Sequence, residues 1–227
     1  MNEYYEVAPA DGNGLIYHLN TVGDRGTAQV AGQGTCSNDV VIPAKITFDG
    51  KTCDVTGIYT AAFIQSSITK VSGGENITSI GKSAFDECTN LTSIGNLLDN
   101  VTDIPDFAFN SCSALPGNIT LNAAITKIGN EAFLYSGISN IFCLAATPPT
   151  LGDYALNFDS ELAVKVPSSA VSAYQSSWGT NYSRMTISAG DPTSATTAAN
   201  SGSTTHWATF SNTYSDSELS VEAGKYQ

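Results

Sequence analysis

Positive charge is scarce in this sequence: 9 Lys and Arg stand against 21 Asp and Glu in 227 residues, a net charge of −12. Such a surface repels phosphate backbones and anionic headgroups, which argues against nucleic acid and acidic membranes as partners. Histidine is scarcer still. His18 lies in an alternating stretch and His206 near the C-terminus, and neither has a neighbour in sequence that would make it a general base. G-x-S-x-G, H-E-x-x-H and a complete calcium loop are all missing; "DGNG" at 11–14 places only Asp11 and Asn13 at calcium-loop spacing and reads as a turn. Long apolar runs are absent too, since the longest, "IFCLAA" at 141–146, falls far short of the roughly 20 residues that span a bilayer. No membrane insertion is expected. "MNEYYEVAPA" lacks the basic start and apolar stretch of a signal peptide, which leaves an intracellular protein or one whose export signal has been removed. Five cysteines (Cys36, Cys53, Cys88, Cys112, Cys143) include no C-x-x-C pair, so zinc is unsupported and at least one thiol is unpaired. Catalytic residues, metal ligands and cofactors are all expected to be none.

What is present is a repeat. Gly81-Lys82-Ser83 resembles the end of a phosphate loop, but the glycine required five positions earlier is Asn76. The stretch is explained instead by "VTGIYTAAF" from Val55, "ITSIGKSAF" from Ile77, "VTDIPDFAF" from Val101 and "ITKIGNEAF" from Ile125, whose phenylalanines Phe63, Phe85, Phe109 and Phe133 recur at steps of 22, 24 and 24. Within a unit the apolar residues fall at i, i+3, i+7 and i+8, as in Ile77, Ile80, Ala84 and Phe85, which suits a helical or irregular turn facing inward. A strand should follow at Leu91–Gly95, Ile119–Leu121 and Ile141–Cys143. Units of this length fit the strand-plus-turn repeat of about 20–29 residues.

The expected fold is therefore a leucine-rich-repeat solenoid, β-rich with short helical or irregular turns, of the right-handed β/α superhelix class, with the four phenylalanines as a continuous spine. Exposed ends of such a stack need covers. "GLIYHLN", "DVVIP" and "KITFDGKTCDV", with Asp49-Gly50 as a hairpin signal, predict an N-terminal β cap over 1–54. Repeats and a C-terminal cap occupy 55–190. There "LGDYAL" repeats the column with Leu151 and Leu156, "LAVKVP" gives a last strand, and a Ser-capped helix at 169–177 closes the stack with Tyr174 and Trp178. Residues 191–227 read as a linker and a truncated β-like tail. Cys88 and Cys112 share one column, where buried thiols are favoured over a disulfide; Cys36 with Cys53 is the pair least excluded. Asn76, Asn90, Asn100, Asn118 and Asn181 match N-x-S/T, mostly where a loop Asn meets the repeated β-branched-Thr column.

If Ile94, Ile119, Leu121, Ile141, Cys143, Val164 and Val166 point inward, a period of two sends Ser93, Gly95, Asn118, Thr120, Asn140, Phe142 and Lys165 outward. Phe142 is the aromatic among small and polar neighbours. It centres a shallow ligand-binding surface of Ser93, Asn118, Thr120, Asn140, Phe142 and Lys165.

The unit "IxxIGxxAFxxCxxLxxI", the leading "DVVIPAKITFDGKTCDVTGI", "CLAATPPTLGDYAL" and the closing "VKVPSSAVSAYQSSW" together resemble the BspA-like leucine-rich repeat proteins of bacterial cell surfaces, over residues 13–188. The third unit departs by inserting "PGN" and the fourth by lacking the Cys. The resemblance implies secretion or surface display, and adhesion to a host or neighbouring-cell protein or glycan; it brings no catalytic residues. A structural surface-layer component is the alternative, with an enzyme of unrecognised site behind it.

Overall fold

The computed structural model describes residues 6–22, 25–156, 161–179 and 184–190. The N-terminal part contains β1 (Glu6–Val7), β2 (Ile16–Val22), β3 (Arg25–Gly32), β4 (Asp39–Ile42), β5 (Lys45–Phe48) and β6 (Lys51–Ile58). β5 and β6 form the expected hairpin, turning through Asp49 at φ 49° and Gly50 at φ 70°, the left-handed pair that lets a two-residue turn match strand twist. "DGNG" is a turn, locked by the Asp11 carboxylate, which accepts the Thr47 N–H at 2.9 Å, and by Asn13, which donates to the Val41 carbonyl at 2.9 Å. β6 runs beyond position 54: its first half pairs with β5, and its last residues pair in parallel with β8 (Ser79–Ile80) of the next unit. β4 is continued in parallel by β7 (Lys70–Gly73).

Every unit but the second contributes strands on two sides rather than one. At the start of successive units lie β8, β9 (Asp103–Ile104), β11 (Lys127–Ile128) and β13 (Thr150–Leu151), with β9, β11 and β13 joined in one parallel sheet. The sequence had shown only the strand after the turn, because two-residue strands are too short to carry periodicity. Threonine hydroxyls reinforce this side. Thr78, Thr126 and Thr150 donate to the carbonyls of Thr56, Thr102 and Thr126 at 3.2–3.3 Å. The second side holds a parallel sheet of β10 (Asn118–Leu121), β12 (Asn140–Cys143), β14 (Leu162–Val166) and β15 (Met185–Ala189).

The connecting turns are irregular, not helical. Ala61 and Gln65, Ser83 and Glu87, Phe107 and Ser111, Glu131 and Tyr135 all have φ between 52° and 59°, and a left-handed residue every fourth position cannot continue a right-handed helix. N–H groups alternate in use: Ala62, Ile64 and Ser66 bond three residues back, while Ala61, Phe63 and Gln65 donate at 2.8–2.9 Å to the next rung's Lys82, Ala84 and Asp86 carbonyls. The same pattern recurs down the stack, so the turn backbone is satisfied without a helix. The repeated glycine follows from close approach: a Cβ at Gly129 would lie 2.5 Å from the Asp106 N, and one at Gly81 2.4 Å from the Thr60 N.

Inside the arc the expected spine is present. Phe63, Phe85, Phe109 and Phe133 are buried and stack at 5.2, 5.2 and 5.4 Å. Beside it all five cysteines are free. The Cys88 and Cys112 thiols donate to the Phe63 and Phe85 carbonyls of the preceding rungs, at 2.8 and 3.0 Å. The fourth unit's missing Cys is Ser136, whose hydroxyl donates to Phe133 O at 2.7 Å, so the column conserves a small donor rather than sulfur.

The C-terminal cover departs from expectation in detail. After Pro167 a 3-10 turn (Ser168–Ala170) leads into α1 (Val171–Ser177), and neither start has a side-chain cap bond; no Ser cap forms, because proline begins the turn. Tyr174 and Trp178 are buried edge to face at 4.9 Å, the Tyr174 hydroxyl donating to Ala145 O at 2.8 Å and the Trp178 indole to Pro149 O at 2.9 Å. β15, not foreseen, follows α1. The Gln175 amide donates to Ile187 O at 3.3 Å, so α1 blunts the last strand of the sheet.

Candidate functional site

The β10–β12–β14–β15 sheet assembles most of the expected surface residues in register. Ile119, Ile141, Val164 and Ile187 form one inward row. The outward rows are Asn118, Asn140, Ala163 and Thr186, then Thr120, Phe142, Lys165 and Ser188. Phe142 is half-buried between Thr120 and Lys165, not fully presented. A single aromatic flanked in this way offers one ring face with hydrogen-bonding amides and hydroxyls around it.

Lys165 is more constrained than the sequence suggested. Its ammonium donates to the Ser188 hydroxyl at 2.8 Å, and a Cβ on Gly190 would lie 2.7 Å from the Lys165 Cβ. Lysine stem and glycine therefore pack together, and the charge is held over β15. Ser188 and Thr186 thus belong to the same surface. Only the "MTISA" alternation could have signalled them.

Ser93 stands apart. Leu91–Gly95 is not a strand: Ser93 makes an isolated parallel bridge with Lys70 of β7, and Gly95 turns the chain at φ 54°, where a Cβ would lie 2.8 Å from Val71 O. The sheet is interrupted between this rung and β10, where "PGN" adds length. Asn122 bridges the interruption, its buried amide donating at 2.7 Å to both Leu98 O and Val101 O while its carbonyl accepts the Ala124 N–H at 2.6 Å. Asn76 and Asn100 act alike at other rungs, donating to Ala44 O and Glu75 O at 3.3 and 3.1 Å. These positions hold corners.

Elsewhere an open depression between the N-terminal hairpin and the first units is lined by Lys45, Asp54, Glu75, Asn76 and Asn100, with Lys45 paired to Asp54 at 3.3 Å. Thr56 and Thr78 complete its lining, the Thr78 hydroxyl donating to the Thr56 carbonyl at 3.3 Å. His18 packs against the Tyr59 ring at 4.2 Å; His206 lies outside the described residues. Burial pushes the Cys88 thiol up to about 12 and raises Cys112 and Cys143, the reverse of what a nucleophilic cysteine needs. Among the described residues no group of three or more His, Cys, Asp and Glu could hold a metal ion, and no helix is long and apolar enough to cross a membrane.

A family model described as the BspA type leucine-rich repeat region matches residues 45–181 in six copies. No curated protein sequence matches the chain. Among solved structures, a leucine-rich repeat protein from Bacteroides capillosus is 30% identical, with TM-score 0.49, covering 62% of this chain and 97% of that one. Another from Bacteroides ovatus is 28% identical, with TM-score 0.55 over 66% of this chain and 39% of its own. The pneumococcal vaccine antigen PcpA is 22% identical, with TM-score 0.53 over 75% of this chain and 51% of its own. The chain thus spans two fifths to half of the latter two proteins.

Proposed function

The chain belongs to the BspA-type leucine-rich repeat family, whose model matches more than half of it, and from that premise we propose a non-catalytic binding scaffold, secreted or displayed at a bacterial cell surface, that adheres to a host or neighbouring-cell protein or glycan. The observation that carries this reading is the ordered sheet face. Asn118, Thr120, Asn140, Phe142 and Lys165 lie in register on one rigid parallel sheet, which is how solenoids offer extended binding surfaces. Ser93 lies one rung earlier, beyond the interruption.

A partner would meet the Phe142 ring as its apolar contact and the asparagine amides as hydrogen-bonding groups. Lys165 reaches it as part of a pair with Ser188. The test is a screen of the purified chain against immobilised glycans and matrix proteins, followed by Phe142→Ala and Lys165→Glu in folded protein. Loss of attachment in Phe142→Ala supports the face. Full retention in both moves the contact elsewhere, and no attachment to any surface removes the adhesive role.

A further inference from the structure

We propose that Asp153 and Tyr154, on the turn side and away from the sheet face, form a receptor for a lysine or arginine side chain of a basic protein partner. The same pair of residue types occurs two units earlier in the stack. At the third unit the chain reads Asp106-Phe107, and the Lys82 ammonium of the preceding rung lies 3.8 Å from the Asp106 carboxylate and 5.3 Å from the centre of the Phe107 ring. A carboxylate beside an aromatic face is a cation receptor, and there it is filled from within the chain.

The fifth unit repeats this pair as Asp153-Tyr154. Tyr154 has φ 52° where Phe107 has 59°, so the two aromatics stand on the same left-handed backbone at the same position of the turn. In Lys82's place on the preceding rung stands Asn130, whose side-chain oxygen accepts the Asp153 N–H at 2.8 Å; no ammonium is supplied from that position. The Tyr154 ring is 57% exposed, so much of its surface reaches solvent whatever else it touches.

Two further observations favour an external cation. A left-handed backbone disfavours bulky side chains, yet this column keeps an aromatic at Tyr154 while Ala61, Ser83 and Glu131 serve the turn at other rungs. The surroundings are also anionic and aromatic: Glu131 occupies the column below, and Tyr135, 56% exposed, lies on that same rung. With a net charge of −12, the chain as a whole attracts basic partners.

The test uses the full chain and a ten-residue peptide of alternating Lys and Gly, blocked at both ends, with its lysine-acetylated counterpart, at low ionic strength. The basic peptide should bind and the acetylated one should not. Tyr154→Ala and Asp153→Asn should each weaken binding about fivefold, the effect of one cation–π or one charge contact. Asn130→Lys should fill the receptor from within, as Lys82 does at the third unit, and block the peptide. Tyr154→Gly removes the strain and should melt no lower than the parent while losing the peptide. Equal binding of both peptides, or undiminished binding to Tyr154→Ala and Asp153→Asn, overturns the proposal, as does a Tyr154→Gly protein that melts lower, which would make the ring a packing element.

Discussion

The rings of Phe85 and Phe109 lie 5.2 Å apart with planes 3° from parallel, although 24 residues separate them in sequence. Each ring is the ceiling of one rung and the floor of the next. Phe109, stacked on both sides and fully buried, therefore supports two interfaces. Phe109→Ala should destabilise the protein by about 3–5 kcal/mol, read as a drop in the urea midpoint, and an unchanged midpoint would refute the spine.

The glycine column makes a sharper steric prediction. Gly129→Ala places a methyl 2.5 Å from the Asp106 N and 2.7 Å from the Pro105 carbonyl carbon, both backbone atoms that cannot swing aside. The rungs must separate, at about 1–3 kcal/mol. Gly50→Ala meets nothing within 4 Å and should cost only its left-handed strain, about 1–2 kcal/mol. Thermal melts with amide exchange distinguish them: Gly129→Ala should expose amides on both adjoining rungs, Gly50→Ala those of the hairpin alone.

Asn122 predicts a local polar failure. Asn122→Ala removes two donors from carbonyls of the buried residues Leu98 and Val101 and should cost about 2–4 kcal/mol. Asn122→Asp should not rescue it, because a carboxylate offers those carbonyls no N–H. Chemical unfolding of the two variants checks this.

The thiols predict an alkaline weakness. Cys88 ionises near its ordinary value of 9.0 in the unfolded chain but only at about 12 when folded. A raised pKa means its contribution is complete below pH 9 and declines as pH rises from 9 towards 12. Cys88→Ser keeps a hydroxyl donor, as Ser136 does, and should flatten that decline in urea midpoints measured from pH 8 to 10.5. In native protein the partly exposed Cys36 should react with a thiol reagent well before the four buried cysteines, and all five should react after denaturation without reductant. A disulfide would leave three.

The parts of this fold that were legible are those written by repetition. Phe63, Phe85, Phe109 and Phe133 recur because one packing site is used four times, and the Asp49-Gly50 turn was readable because few residues adopt its backbone. The left-handed turn positions were not readable, since Ala61, Ser83, Glu131 and Tyr154 are ordinary residues forced into place by bonds between rungs. Of the candidate face, alternation revealed Asn118, Thr120, Asn140, Phe142 and Lys165. It misplaced Ser93, because the Gly95 turn breaks the sheet, and it missed Ser188, because β15 lies beyond a helix. The column that holds Cys88, Cys112 and Ser136 looked interrupted only when judged by element rather than by hydrogen-bond donor.

The alternating turn bonds give the stack a direction. At every rung the N–H groups at the start of the turn point forward to the carbonyls of the following rung, from Ala61 to Lys82 through Glu131 to Asp153. The peptide dipoles of these turn bonds point one way along the axis, while those of the strand-side bonds, such as Gly81 N–H to Ile58 O and Gly129 N–H to Ile104 O, point the other. The turn bonds are the same at each of these junctions, so on this side one whole unit could be duplicated or deleted and the neighbours would meet the donors and acceptors they already use. A unit inserted backwards would oppose donor to donor. The array is therefore free to change length in evolution but not polarity, and reach can be tuned separately from whatever the two ends or either face recognise.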